Sequence, residues 1–192
     1  MPKIIEDEDV FRAVMQTIVK RGYAGATTRE MADAAHISEV TLFRKYENKK
    51  RLVKLAIAAL VEQTNFAAAT QYTGDLQADL LNILDAYQAA VVEHGPFFAV
   101  LFAEYARYPD LVESFDEPLA LFYSIGQLMA RYQAEGRLRQ EHPLHAVVAL
   151  LGPLMYSGLM RSTIPESRLP PLDLSQHVAL YLEGRTNRSG TE

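Results

Sequence analysis

The stretch HISEVTLFRKYENKKRL, residues 36–52, together with Lys54 sets six cationic side chains within a few turns: Arg44, Lys45, Lys49, Lys50, Arg51 and Lys54. Lysine and arginine at this density neutralise phosphates. The residues just before them, Ser38, Glu39, Val40, Thr41 and Phe43, are types that meet base edges, with Val40 and Phe43 suited to thymine methyl groups. The chemistry on offer is non-covalent capture of a polyanion. A solvated helix face would carry the same charges, so charge alone leaves both readings open.

Charge is placed unevenly along a chain of net charge −5. Residues 10–55 hold ten Lys or Arg against four acids, a balance of +6, whereas residues 56–192 hold eight against sixteen, a balance of −8. That asymmetry suggests a basic module for a polyanion, mounted on a body that has no such partner.

Other chemistries find little support. There is no cysteine, so disulfides and thiolate metal sites are excluded, in keeping with a reducing cytoplasm. Di-iron helical bundles need Glu-x-x-His pairs, and no histidine here has a Glu three residues before it. His142 and His145 share helical spacing but lack a third ligand, and Asp33 with His36 falls inside the basic stretch. No nucleophile motif, glycine-rich phosphate loop or paired catalytic carboxylates are recognisable. The expectation is a protein that is not an enzyme, with no catalytic residues, no metal and no cofactor. The acidic start MPKIIEDEDV lacks a secretory pattern, and the apolar run 146–160, broken by Gly152, Pro153, Ser157 and Gly158, falls short of a membrane span. A cytoplasmic protein with no membrane partner is expected.

Three short helices must position the basic stretch. Residues 9–21 place Val10, Phe11, Val14, Met15 and Ile18 on one stripe, with Gly22 as the stop. Thr27 and Glu30 form a capping-box pattern that opens a two-turn helix to residue 35, with Met31, Ala34 and Ala35 inward. Ser38 caps a third helix that turns Leu42 and Tyr46 inward, and Asn48 caps a longer one starting at Lys49. Two short helices joined by a tight turn, the second with a mixed outward face, make a helix-turn-helix. Its second helix would present Glu39, Val40, Thr41 and Phe43 to a major groove. Arg44, Lys45 and Lys49 would neutralise phosphates. Amides and hydroxyls at Thr27, Thr28 and residues 48–49 would fix the register.

Residues 22–52, GYAGATTREMADAAHISEVTLFRKYENKKRL, resemble the DNA-binding signature of the TetR family of bacterial transcriptional regulators. The matching positions are Gly22-Tyr23, Thr27-Thr28, Arg29-Glu30-Met31-Ala32, Ser38, Thr41-Leu42-Phe43 and Lys49. Many fixed spacings over one stretch make a far stronger signal than a single short motif. The resemblance implies a DNA surface drawn from Thr27, Thr28, Arg29, Ser38, Glu39, Val40, Thr41, Phe43, Arg44, Lys45 and Lys49. Three positions depart from the pattern. His36 replaces the usual glycine, which predicts a left-handed His; Val40 stands where glycine is common; Tyr46 replaces Phe, its hydroxyl free to reach the surface or a phosphate.

Beyond residue 48 the chain reads as helices throughout: 49–72, 75–93 broken at Pro96, 96–107, 110–115, 118–135, 143–161 and 174–183. The expected architecture is all-α. A helix-turn-helix DNA-binding domain spans 1–48, a helical effector-binding and dimerisation domain 49–184, and a disordered tail 185–192. Tyr87, Phe98, Phe102, Tyr105, Phe122, Met129, Met155 and Tyr156 recur at helical spacing, as core residues would. The resemblance implies that some of the aromatic body lines an effector cavity, and these eight are the candidates. Glu104 and His94, among apolar neighbours, could tune such a site. The apolar helix 143–161, paired with 174–183, suggests a homodimer seam. The expected function is a ligand-responsive repressor on a palindromic double-stranded DNA operator, released by a small, mostly apolar effector. An effector-independent DNA-binding protein or adaptor on the same fold is the alternative.

Overall fold

The computed structural model describes residues 6–105, 107–161 and 164–186. Those residues form helices and no strand: α1 Asp7–Gly25, α2 Thr28–Ala34, α3 Glu39–Tyr46, α4 Lys49–Gln63, α5 Phe66–Ala69, α6 Leu76–Tyr105, a 3-10 helix Pro109–Phe115, α7 Asp116–Ala134, α8 Pro143–Arg161 and α9 Leu174–Glu183. The all-α expectation holds.

Two compact units divide the chain. The first comprises Met1–Gln63 with Pro96–Pro118, the second Thr64–Gly95 with Leu119–Glu192. The first is therefore larger than the expected 1–48 domain. The reason is apolar: α4 sends Leu52, Val53, Ala56, Ile57 and Leu60 into the same core as Val14, Ile18, Met31 and Leu42, and Phe97, Leu101, Leu111 and Phe115 complete it.

Local chemistry sets the elements of the first unit. Gly22, the expected stop of α1, appears as a kink with φ 72 and ψ 164, after which one more turn follows. The capping box is complete: the Glu30 amide donates to Thr27 Oγ1 over 3.2 Å and the Thr27 amide to Glu30 Oε2 over 3.1 Å. On α2 the inward residues are Met31 and Ala32, with Ala35 behind them, while Ala34 is exposed. Residues 31, 32 and 35 share one face at 3.6 per turn, and residue 34 does not. His36 is left-handed as expected, with φ 57.

Three predicted boundaries moved. The helix expected over 49–72 ends at Gln63, and Asn65, with ψ 24, leads into the separate one-turn α5. The break expected at Pro96 is absent, since α6 continues through it and carries the loss of one amide donor. Helix α7 starts at Asp116, two residues ahead of the expected Pro118, because a first turn accommodates proline.

In the second unit α6 (residues 76–95), α7, α8 and α9 pack Leu80, Ile83, Leu84, Ile125, Met129, Val147, Leu150 and Val178 into one core. Asp79 is fully buried there, accepting from the Thr73 amide (3.0 Å), Thr73 Oγ1 (2.6 Å) and Tyr132 OH (2.5 Å). Burial works against its charge, but these hydrogen bonds outweigh it and hold the carboxyl below the usual range. Helices α8 and α9 have the expected bounds. Helix α8, 19 residues with hydropathy 1.4, is long and apolar enough to cross a membrane by length and composition only. Its inward face, Ala146, Val147, Leu150, Leu151 and Leu154, belongs to the core. Past α9 the expected tail is held at its first two residues: the Arg139 amide donates to Arg185 O over 2.7 Å, Arg185 Nε to Glu141 Oε1 over 3.0 Å, and the Thr186 amide to Leu182 O over 2.8 Å. Residues 187–192 lie outside the described residues.

Candidate nucleic-acid interface

Helix α3 is eight residues long and owes its start to Ser38, whose Oγ accepts from the Thr41 amide at 3.1 Å and lies 2.8 Å from Thr41 Oγ1. Leu42 (0% exposed) and Tyr46 (2%) anchor it in the core, so the residues between them must turn outward. Val40 is 78% and Phe43 43% exposed. Thr41 is half-buried; Ser38, Arg44 and Lys45 are exposed. Thr28 Oγ1 donates to Glu39 Oε1 over 2.6 Å and ties the first turns of α2 and α3 together. Glu39 is thereby a brace between the two helices as well as a candidate base contact. Thr27 and Arg29 are exposed at the start of α2. Asn48 Oδ1 caps α4 by accepting from the Arg51 amide at 2.9 Å.

The cations are arranged differently from the expectation. Lys45 Nζ stands 2.5 Å from Asp7 Oδ1. Lys49 Nζ donates to the Tyr23 carbonyl and lies 4.3 Å from the centre of that ring, and desolvation holds its pKa below the usual lysine value despite Glu104 nearby. The half-buried amine is turned toward a carbonyl and a π face, which stabilise it. Lys50 pairs with Glu113 (2.9 Å), Lys54 with Asp116 (2.6 Å), Arg51 with Glu47, and Arg21 with Glu30 (3.2 Å). Of the cations in residues 27–54, Arg29 and Arg44 are exposed and enter no ion pair among the described residues. The basic run is largely neutralised from within.

Two partners leave no mark in the sequence. Asp7 was read only as part of an acidic start, yet it holds both Lys45 and the Tyr46 hydroxyl, and these contacts lower its carboxyl pKa, Lys45 contributing most. The Tyr46 hydroxyl accordingly reaches neither surface nor phosphate, and burial with Asp7 beside it raises its pKa. Glu104, expected in an apolar ligand setting, instead sits against Gly22. Pairings across 39 or 82 positions leave no local sequence signal.

Residues 11–56 match the sequence profile of the family described as "Bacterial regulatory proteins, tetR family". That segment carries the family's DNA-binding signature. It is 32% identical over 108 residues to the uncharacterized HTH-type transcriptional regulator YvkB of Bacillus subtilis, covering 56% of this chain and 57% of that one. The chain thus spans little more than half the length of this curated relative. Among solved structures it resembles the TetR family transcriptional regulator PfmR from Thermus thermophilus (TM-score 0.65, 17% identity, 91% of this chain and 94% of that one). It also resembles the flavonoid-responsive regulator FrrA (TM-score 0.68, 19% identity, 95% and 98%). At these identities the structural likeness is one of fold.

The eight effector candidates divide between the two units. Phe98, Phe102 and Tyr105 lie in the first unit in a ring cluster with Phe115: Phe98 and Phe102 are tilted with centres 6.5 Å apart, Phe102 stacks on Phe115 at 5.2 Å, and Tyr105 meets Phe115 edge-on at 6.0 Å. The other five lie in the second unit. Met129 is buried in its core, Met155 and Tyr156 are exposed, and Tyr87 and Phe122 are half-buried. The Tyr87 ring meets Phe66 at 6.3 Å, and burial pushes its hydroxyl pKa up to about 12.

Proposed function

We propose that this chain is a DNA-binding transcriptional regulator of the TetR family. It acts in the cytoplasm as a homodimer, represses by occupying a palindromic operator, and leaves when a small, mostly apolar effector binds the helical body. One observation carries the reading: α3 is locked by buried Leu42 and Tyr46 and by the Thr28–Glu39 brace, while Val40 and Phe43 stand exposed between them. Exposed apolar side chains on a capped, braced helix are costly in water and fit a groove lined by thymine methyls. Thr41 and Arg44 would add polar and phosphate contacts, and Thr27, Thr28, Arg29 and Ser38 would set the register.

A single two-turn helix reads few bases. Two of them, about 34 to 36 Å apart, would enter successive major grooves, which calls for a two-fold pair. The seam we assign to the outward face of α8, where Val148 (58%), Met155 (46%) and Leu159 (45%) are exposed at helical spacing, with Leu180 of α9. For the effector we assign the half-buried Tyr87 and Phe122 in the second unit; FrrA, of like fold, is a flavonoid-responsive regulator. To turn a mostly bound population into a mostly free one, the effector must prefer the released form by about 5.5 kcal/mol.

Selection of bound duplexes from a random pool tests this reading. An enriched palindrome with half-sites one helical turn apart, or a multiple of that, is the expected result. An unenriched pool would favour the adaptor alternative.

A further inference from the structure

Asp7, in the first turn of α1, faces the end of α3. Its Oδ1 stands 2.5 Å from Lys45 Nζ and also accepts the Tyr46 hydroxyl. The next residue, Glu8, accepts from Gln63 Nε2 at the end of α4 over 3.2 Å, so the turn carrying Asp7 is held from two sides. Lys45 also lies 5.5 Å from the centre of the Tyr46 ring.

We infer that Asp7 is a positioning residue for duplex binding that competes with phosphate for Lys45. This inference rests on the DNA-binding reading above. A carboxylate in contact with an ammonium does what a phosphate oxygen would do. Lys45 therefore gains nothing from a duplex until that bond breaks, and it displaces little counterion from DNA. Since counterion release drives sequence-independent affinity, the pairing lowers general attraction to DNA and leaves discrimination to Val40, Thr41 and Phe43. The Tyr46 hydroxyl bond has a second consequence: it fixes the end of α3 relative to α1.

Asp7→Asn separates charge from position, because the amide oxygen still accepts the Tyr46 hydroxyl while the anion is gone. The experiment is a salt titration of binding to a random-sequence duplex of fixed length. Asp7→Asn is expected to tighten binding roughly threefold to tenfold at about 0.1 M salt and to steepen the plot of log K against log salt by about 0.9 per chain. In a Lys45→Gln background the same change should have no effect on the slope. Asp7→Ser, which also removes the charge, should steepen the slope as Asp7→Asn does. The control is Glu6→Gln, which removes a neighbouring acid that enters no ion pair among the described residues. A parental slope for Asp7→Asn, the same steepening in the Lys45→Gln background, or the same steepening from Glu6→Gln would each overturn the inference. A parent chain that binds no duplex at all would instead remove the DNA-binding reading on which it rests.

Discussion

Gly22 and Glu104 stand so close that no side chain fits on the glycine without displacing the acid: a Cβ built there would lie 2.7 Å from Glu104 Oε1. The backbone at Gly22, φ 72 and ψ 164, lies in a region open essentially to glycine alone. Gly22→Ala is expected to lower stability by about 1–3 kcal/mol, read as a shift in the urea midpoint. Adding Glu104→Ala should restore only part of it, since the crowding acid can swing away while the backbone strain persists.

Ser38 is the side-chain cap of α3, accepting from the Thr41 amide at 3.1 Å. Ser38→Ala should cost about 1 kcal/mol and Ser38→Gly only a few tenths. Chemical denaturation of both variants measures the difference.

On the proposed DNA-binding reading, internal pairing would set the salt dependence. With Lys45, Lys49, Lys50, Arg51 and Lys54 committed to protein partners, Arg29 and Arg44 are left for phosphates. The expected slope of log K against log salt is about −2 per chain, where all six cations of residues 44–54 would give about −5. Titration of a selected operator from low to moderate salt reads this directly.

These pairings show where the sequence was legible and where it was not. Caps and periodicities are local, so Thr27 with Glu30, Ser38, and the helices ending at Arg161 and Glu183 were visible in the chain. The family signature was visible for the same reason, its residues lying close together in sequence. The partners of Lys45 and Lys49 are Asp7 and Tyr23, and no periodicity connects positions so far apart. Pro96 misled because proline predicts loss of one donor, and whether a helix survives that depends on packing around it. Residue type alone does not separate Met129 in a core from Tyr156 in solvent.

Asp79 gives the second unit an acid-sensitive anchor. Its folded pKa lies below the unfolded value near 3.9, so its stabilisation is present above that value and is lost as pH falls through the folded pKa. Asp79→Asn leaves Thr73 and Tyr132 poorly satisfied and should cost about 3 kcal/mol near pH 7. The variant should also flatten the decline in stability below about pH 4. Unfolding curves at several acidic pH values provide the check.

The central claim is that the outward face of α3 reads DNA. Titration of Phe43→Ala against the operator selected by the parent protein, with thermal unfolding followed in parallel, tests it most directly. Affinity is expected to fall by about 1–3 kcal/mol with discrimination between operator and random duplex reduced, while the melting temperature stays near that of the parent. Parental affinity and discrimination in a folded Phe43→Ala protein would contradict the assignment of α3 as the reading helix.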